Sequence, residues 1–168
     1  MRKKAYYLVG MMILGFLFSC EASKNTDLNT NMKYDIERIE YFTSVCFGTC
    51  PQFRIEIDKD REAVYEAIRF NFSKEFNSPS PEGTFKTKIS ENEFQLIFKK
   101  LIEMDFPVLQ DSYRVPYTDA QTANLKIIYD GGKEKTITDY GMNGTSELKE
   151  LYQLFLELRE NQNWEKIK

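Results

Sequence analysis

The 168-residue sequence predicts an α+β domain: an antiparallel sheet of about six strands carrying two amphipathic helices on one face, in the order ββββαββα. Three observations predict it. Apolar residues alternate with polar ones through much of residues 34–89 and again through 123–140. Two stretches of helical periodicity begin near Ser90 and Ser146. The breaks between successive strands are of hairpin length, which suits antiparallel pairing and is too short for parallel crossovers.

The chain opens with a segment to be set apart from the fold. Met1-Arg2-Lys3-Lys4 is basic, and an apolar run follows from Ala5 to Phe18. That run is shorter than the roughly 20 apolar residues a membrane-spanning helix needs. A basic start followed by a short apolar run is the pattern of a secretory signal peptide. Its end, Leu17-Phe18-Ser19-Cys20, resembles the bacterial lipobox. The resemblance implies that residues 1–19 are removed and that Cys20 is the lipid attachment site. Lipid on Cys20 would hold the protein to a membrane. Residues 20–33 are sparse in apolar side chains and are expected to form a solvated tether. Residues 34–168 then supply enough chain for one domain with a single core.

The elements follow in order. Residues 34–43 are β-rich with imperfect alternation. In 52–57, Phe53, Ile55 and Ile57 oppose Gln52, Arg54 and Glu56. After the polar turn 58–61, residues 62–72 place Val64, Ile68, Phe70 and Phe72 in phase. Residues 77–83 are a loop by composition, and 84–89 alternates Phe85, Thr87 and Ile89. Ser90 and Glu93 fit a capping box at a helix start. Phe94, Ile97, Phe98, Leu101 and Ile102 then fall on one helical face, and Pro107 ends the run. Residues 107–122 are expected to be a loop. Residues 123–140 form a hairpin around Asp130-Gly131-Gly132, where glycine admits the positive φ of such turns. The last helix begins near Ser146 and aligns Leu148, Leu151, Tyr152, Phe155 and Leu158.

Composition narrows the function. The chain contains no histidine. Catalysis by Ser-His-Asp or Cys-His sets, histidine general acid–base work and histidine metal sites are therefore closed to it. Removing Arg2, Lys3 and Lys4 lowers the 23 basic residues to 20 against 26 acidic ones, a net of −6. An acidic domain without a basic run is a poor partner for nucleic acid. No phosphate loop, dinucleotide fingerprint or calcium loop is present, so no cofactor or metal is expected. Ser146 and Lys149 match the S-x-x-K pattern of penicillin-recognising enzymes. The S-D-N and K-T-G partners of that chemistry are missing, and a polar helix start explains the pair. Asp119, between two threonines in a long loop, is a turn former or a ligand, with the turn the commoner role. Some pair of carboxylates suited to hydrolysis is also conceivable among 26 acids.

The most distinctive stretch is Cys46-Phe47-Gly48-Thr49-Cys50-Pro51. Four readings of it stand. A disulfide is the leading one: Gly48 allows the chain to turn back, and an exported domain meets oxidising conditions. So short a loop would gain only about 2 kcal/mol from the bond. A redox pair is the second, although thiol–disulfide catalysts commonly use two-residue spacing at a helix start. A metal site is third and half-complete at best. The fourth is a binding loop in which Phe47, Gly48, Thr49 and Pro51, with Asp119, meet a partner. It is compatible with the disulfide.

The C-x-G-x-C-P motif, the Thr118-Asp119 segment, the hairpin and the terminal helix together resemble a family of small exported proteins. They are often lipoproteins of Bacteroidota, and they carry a domain of unknown function marked by that motif. The resemblance covers nearly all of residues 34–160 and implies an exported α+β domain. It assigns no activity, substrate or catalytic residue. The expectation is a lipid-anchored cell-envelope protein with a non-enzymatic binding domain and an envelope protein as partner. The alternative is a redox protein using Cys46 and Cys50.

Overall fold

A computed structural model describes residues 33–72 and 82–168. The expected signal peptide, Cys20 and residues 20–32 of the expected tether lie outside the described residues, as does most of the loop 77–83. The described residues belong to one compact unit, Asn31–Lys168.

The fold is α+β, with eight strands and two helices among the described residues. The strands are β1 (Ile36–Thr43), β2 (Gln52–Asp58), β3 (Glu62–Arg69), β4 (Gly83–Lys88), β5 (Ser112–Arg114), β6 (Thr122–Tyr129), β7 (Lys133–Tyr140) and β8 (Glu165–Lys166). The helices are α1 (Glu91–Glu103) and α2 (Ser146–Asn161), and a 3-10 turn covers Phe106–Val108. One sheet holds all strands in the order β5-β7-β6-β1-β2-β3-β4-β8. The sheet is therefore larger than the six strands expected. It is also mixed rather than purely antiparallel, because β5 runs parallel to β7 while every other pair is antiparallel.

Both additions have a physical cause. β5 lies within 107–122 and is three residues long, too short to display a period of two. Its direction follows from the 3-10 turn, which returns the chain to the end of the sheet where β7 starts. β8 is a two-residue strand after α2, fixed where the main chains of Ile167 and Lys168 meet Thr84.

The buried face is built from one side of each strand. Ile36, Ile39 and Tyr41 of β1, Phe53, Ile55 and Ile57 of β2, and Leu125 and Ile127 of β6 meet Phe94, Ile97, Phe98 and Leu101 of α1 and Leu148, Leu151, Tyr152, Phe155 and Leu158 of α2. Both helices thus share one core with one sheet face. Each such side chain contributes about 1.5–3 kcal/mol when fully buried, which suffices to fix the helices on the sheet. The imperfect alternation of β1 is a register shift between Ile36 and Arg38, so that Ile36 and Ile39 both point inward. In β3 the phase is opposite to the expected one. Ala63, Tyr65 and Ala67 are buried, whereas Val64 and Ile68 face outward. Pairing with β2 decides this: Tyr65 sits opposite buried Ile55, so Val64 falls opposite Glu56 on the open face. That open face carries cross-strand ion pairs, among them Arg54–Glu66 and Lys88–Glu62.

The helix starts are capped by side chains. Ser90 Oγ accepts from Glu93 N at 3.4 Å, but Glu93 does not return the favour to Ser90 N as a capping box would. Gln162 Oε1 accepts that N–H at 3.3 Å, while Glu93 accepts from Asn161 and Gln162. Thr145 Oγ1 accepts from Leu148 N at 3.1 Å and starts α2. No helix among the described residues is long and apolar enough to cross a membrane.

Candidate functional site

β1 runs from Ile36 to Thr43, whose end of the sheet is here called the upper end. Four connections lie at that end. Three are described throughout: residues 44–51 between β1 and β2, 115–121 between β5 and β6, and 141–145 between β7 and α2. Those three carry one charged side chain, Asp119, in a chain that is 29% charged.

Cys46 and Cys50 are joined by a disulfide across a Cα–Cα distance of 5.7 Å. Gly48 between them has φ +145°, a conformation that side chains other than glycine rarely adopt. Neutral groups clamp the base of the loop. Thr43 Oγ1 donates to Pro51 O at 2.8 Å and accepts from Phe53 N at 3.3 Å. Gln121 Nε2 donates to Ser44 O at 3.0 Å and to Pro51 O at 2.7 Å, so one amide spans both stems. Ser44 N donates to Thr122 O, and Thr122 N donates to Ser44 Oγ, each at 2.9 Å. At the tip, Phe47 N donates to Asp119 O at 3.1 Å.

The result is a rigid loop holding an apolar side chain in water. Phe47 is 90% exposed, and Val45 and Tyr117 are 45% and 57% exposed. A phenylalanine left in solvent forgoes about 1.5–3 kcal/mol of burial. The disulfide adds only about 2 kcal/mol, and each neutral hydrogen bond about 1 kcal/mol. The loop's order therefore presents Phe47 rather than using it for stability.

The second loop shapes the neighbouring surface. Asp119 has φ +61° and acts through its carbonyl; its carboxylate makes no hydrogen bond to a described residue. Ala120 N donates to Tyr140 Oη at 3.2 Å and holds the loop over the end of β7. An open groove of about 340 Å³ lies here, lined by Arg114, Val115, Pro116, Tyr117, Thr118 and Tyr140. The Arg114 guanidinium stands 5.6 Å from the centre of the Tyr140 ring. Gly141, φ +97°, passes so close to Val115 that a Cβ there would lie 2.4 Å from its side chain.

Beneath this surface sits a buried carboxylate. Asp139 is 1% exposed and accepts from Asn143 N at 3.1 Å and Gly144 N at 2.8 Å. It fixes the approach to α2 from inside. The hydroxyls of Tyr41 and Tyr152 are buried nearby without a partner at hydrogen-bonding geometry. Burial pushes both tyrosines well above their ordinary range, and the Asp139 charge adds to the rise. Tyr65 is pushed up to about 12, again chiefly by burial, with the Arg159 charge pulling the other way.

The structure thus brings Cys46, Phe47, Gly48, Thr49, Cys50, Pro51 and Asp119 to one end of the sheet. Ser146 and Lys149 lie exposed in the first turn of α2, which Thr145 caps. Among the described residues, no cluster of three or more Cys, Asp or Glu side chains is placed to hold a metal ion. Sequence reasoning missed Gln121, Arg114, Tyr117 and Asp139. The alternation of β7 could have marked Asp139 as inward-facing, in phase with Ile137. Nothing in the sequence marks Gln121, since its role depends on two carbonyls 70 and 77 positions away.

The model of one family, a domain of unknown function (DUF6438), matches residues 37–159. No curated protein matches the chain.

Proposed function

The chain belongs to the DUF6438 family, and on that premise we propose that it is a non-enzymatic docking domain of the bacterial cell envelope, meeting a protein partner through its upper end. The observation that carries this is Phe47, 90% exposed on a loop pinned by a disulfide and clamped at its base. Exposed aromatic side chains in a charge-poor surround are what the buried core of a protein interface is made of. Such anchors carry most of the energy of an interface.

The N-terminal sequence supports anchorage, with Cys20 as the lipid-bearing residue of a small exported lipoprotein of Bacteroidota type. The tether would join at Lys33, and the eight residues of β1 at about 3.3 Å each separate that junction from the upper end by roughly 26 Å. A photo-crosslinking residue at position 47 should trap a protein adduct in intact cells, and one at Lys59, on the opposite end, should not. Equal trapping at both positions, or at neither, would sink the docking reading. Cys20→Ser should abolish fatty-acid labelling and release the chain from membranes; retained labelling would refute the anchor.

A further inference from the structure

We propose that the groove beside Arg114 is a subsite for the terminal carboxylate of an extended peptide, which lies along the open edge of β5 and runs in the same direction as that strand. This deepens the docking reading above and rests on it: it names the chemistry of the partner segment.

Three observations converge. The first is charge. Arg114 is exposed, and among the described residues no carboxylate lies within ion-pair distance of it. Asp119, the one acid of those three upper-end loops, does not line the groove. The face of Tyr140 supports the guanidinium and leaves its N–H fork for a planar anion, which a carboxylate matches in two bonds.

The second is shape. At about 340 Å³ the groove is at the small end of ligand pockets, with room for a carboxylate and one side chain. Thr118 offers a hydroxyl, and Val115, Pro116 and Tyr117 offer apolar contact.

The third is the edge. β5 ends the sheet, so no strand covers its outer side. Thr138 N donates to Asp111 O at 2.9 Å and Val115 N donates to Tyr140 O at 3.1 Å, which turns the odd-numbered residues toward β7. By the alternation of a strand, the main-chain groups of Ser112 and Arg114 point to the open side. An extended segment can pair there by strand addition. Running parallel to β5, it delivers its C-terminal end to the groove. Running the other way, it would bring an ammonium group to Arg114, which like charge disfavours.

The test uses the full chain purified in mild detergent and two pools of random seven-residue peptides on beads. One pool ends in free carboxylates and the other in amides. The free-acid pool should be enriched about tenfold over the amide pool, as expected for a charge-assisted bidentate contact. Arg114→Ala should erase that preference, and Arg114→Lys should restore it only in part, because an ammonium lacks the fork. Both variants should melt as the native chain does, since Arg114 is exposed. The amide resonances of Ser112 and Arg114 should shift with the selected peptide. Equal enrichment of both pools, or none from either, overturns the proposal. Phe47→Ala should leave peptide capture within about twofold while abolishing the adduct trapped in cells by a photo-crosslinking residue at Val45, on the same loop, so failure of this subsite and failure of the docking reading are told apart.

Discussion

The two ends of the sheet close their turns with different chemistry. At the lower end, carboxylates satisfy the free N–H groups. Asp58 Oδ1 accepts from Asp60 N and Glu62 N, each at 2.9 Å. Glu37 Oε1 accepts from Gly131 N at 2.7 Å and Gly132 N at 3.0 Å. Asp105 takes the Tyr34 hydroxyl and, at 2.7 Å, Lys33. At the upper end the same work falls to a disulfide, a threonine, a serine and a glutamine, with one carboxylate, Asp139, kept under the surface. The difference matters for recognition. Covering a charged turn strips water from ions, which is expensive, whereas neutral groups already bonded to one another lose little when a partner arrives. The lower end is closed by charged groups; the described loops of the upper end are closed by neutral ones.

Four experiments press on this contrast, in decreasing order of expected effect. Alkali should undo the whole domain from the core beneath the upper end. Tyr41, Tyr65 and Tyr152 are all raised above the ordinary value near 10 by burial. A tyrosine raised in the folded state adds stability that is complete below the unfolded pKa and is lost as pH climbs through the folded one. Tyrosinate absorbance should therefore lag behind a free-tyrosine titration above pH ~10 and then jump together with loss of ellipticity. Smooth titration of all tyrosines near 10, with the fold intact, would contradict their burial.

Next, Asp139→Ala should cost about 3 kcal/mol in urea unfolding, because it removes two charge-assisted hydrogen bonds from a buried carboxylate. A loss under about 1 kcal/mol would mean that this carboxylate does not organise the upper end. Third, Cys46→Ser with Cys50→Ser should cost about 2 kcal/mol and leave the fold in place. It should also weaken hydrogen-exchange protection of the Phe47 amide. The native pair should have a reduction potential below about −300 mV; a value in the range of thiol–disulfide catalysts would favour the redox alternative instead.

The smallest effect belongs to the lower end. Hydrogen bonds from Lys33 and Tyr34 hold Asp105 below the usual carboxylate range. A lowered carboxylate stabilises above its unfolded pKa and loses that contribution as pH falls through the folded one. Acid below about pH 4 should shift the Lys33, Tyr34 and Asp105 resonances while the 44–51 loop stays unmoved. Since Asp105 is only partly buried and its Lys33 partner is exposed, the change in stability should be slight. A simultaneous change at Phe47 would show that the two ends are coupled.

Much of the scaffold was legible because it is written in local periods. The β2 face, both helices and the Asp130-Gly131-Gly132 turn follow from spacing alone. Ser90 was readable as a cap, but its partner at Gln162 was not, because 72 residues separate them. β3 was misread in phase: Val64 and Ile68 are more apolar than Ala63 and Ala67, and only the partner strand reveals that the alanine row faces the core. The C-x3-C stretch was conspicuous in sequence, and its place at one end of β1 was inferable. Its neighbours Arg114 and Tyr117 were not, because the loop carrying them gives no sign of which strand end it covers.

The sequence by itself determined the α+β class, the strands and helices whose side chains repeat at 2 or 3.6 residues, the closed-off histidine chemistries and the position of the cysteine pair. Those are properties of neighbouring residues, and sequence records neighbours. The tertiary structure alone decided that β5 joins β7 in parallel, that Gln121 spans the stems of the cysteine loop, and that Phe47, Tyr117 and Arg114 stand at one end of the sheet. Each of these depends on contacts between segments far apart in the chain, which become neighbours only when the helices and the sheet close on a shared core.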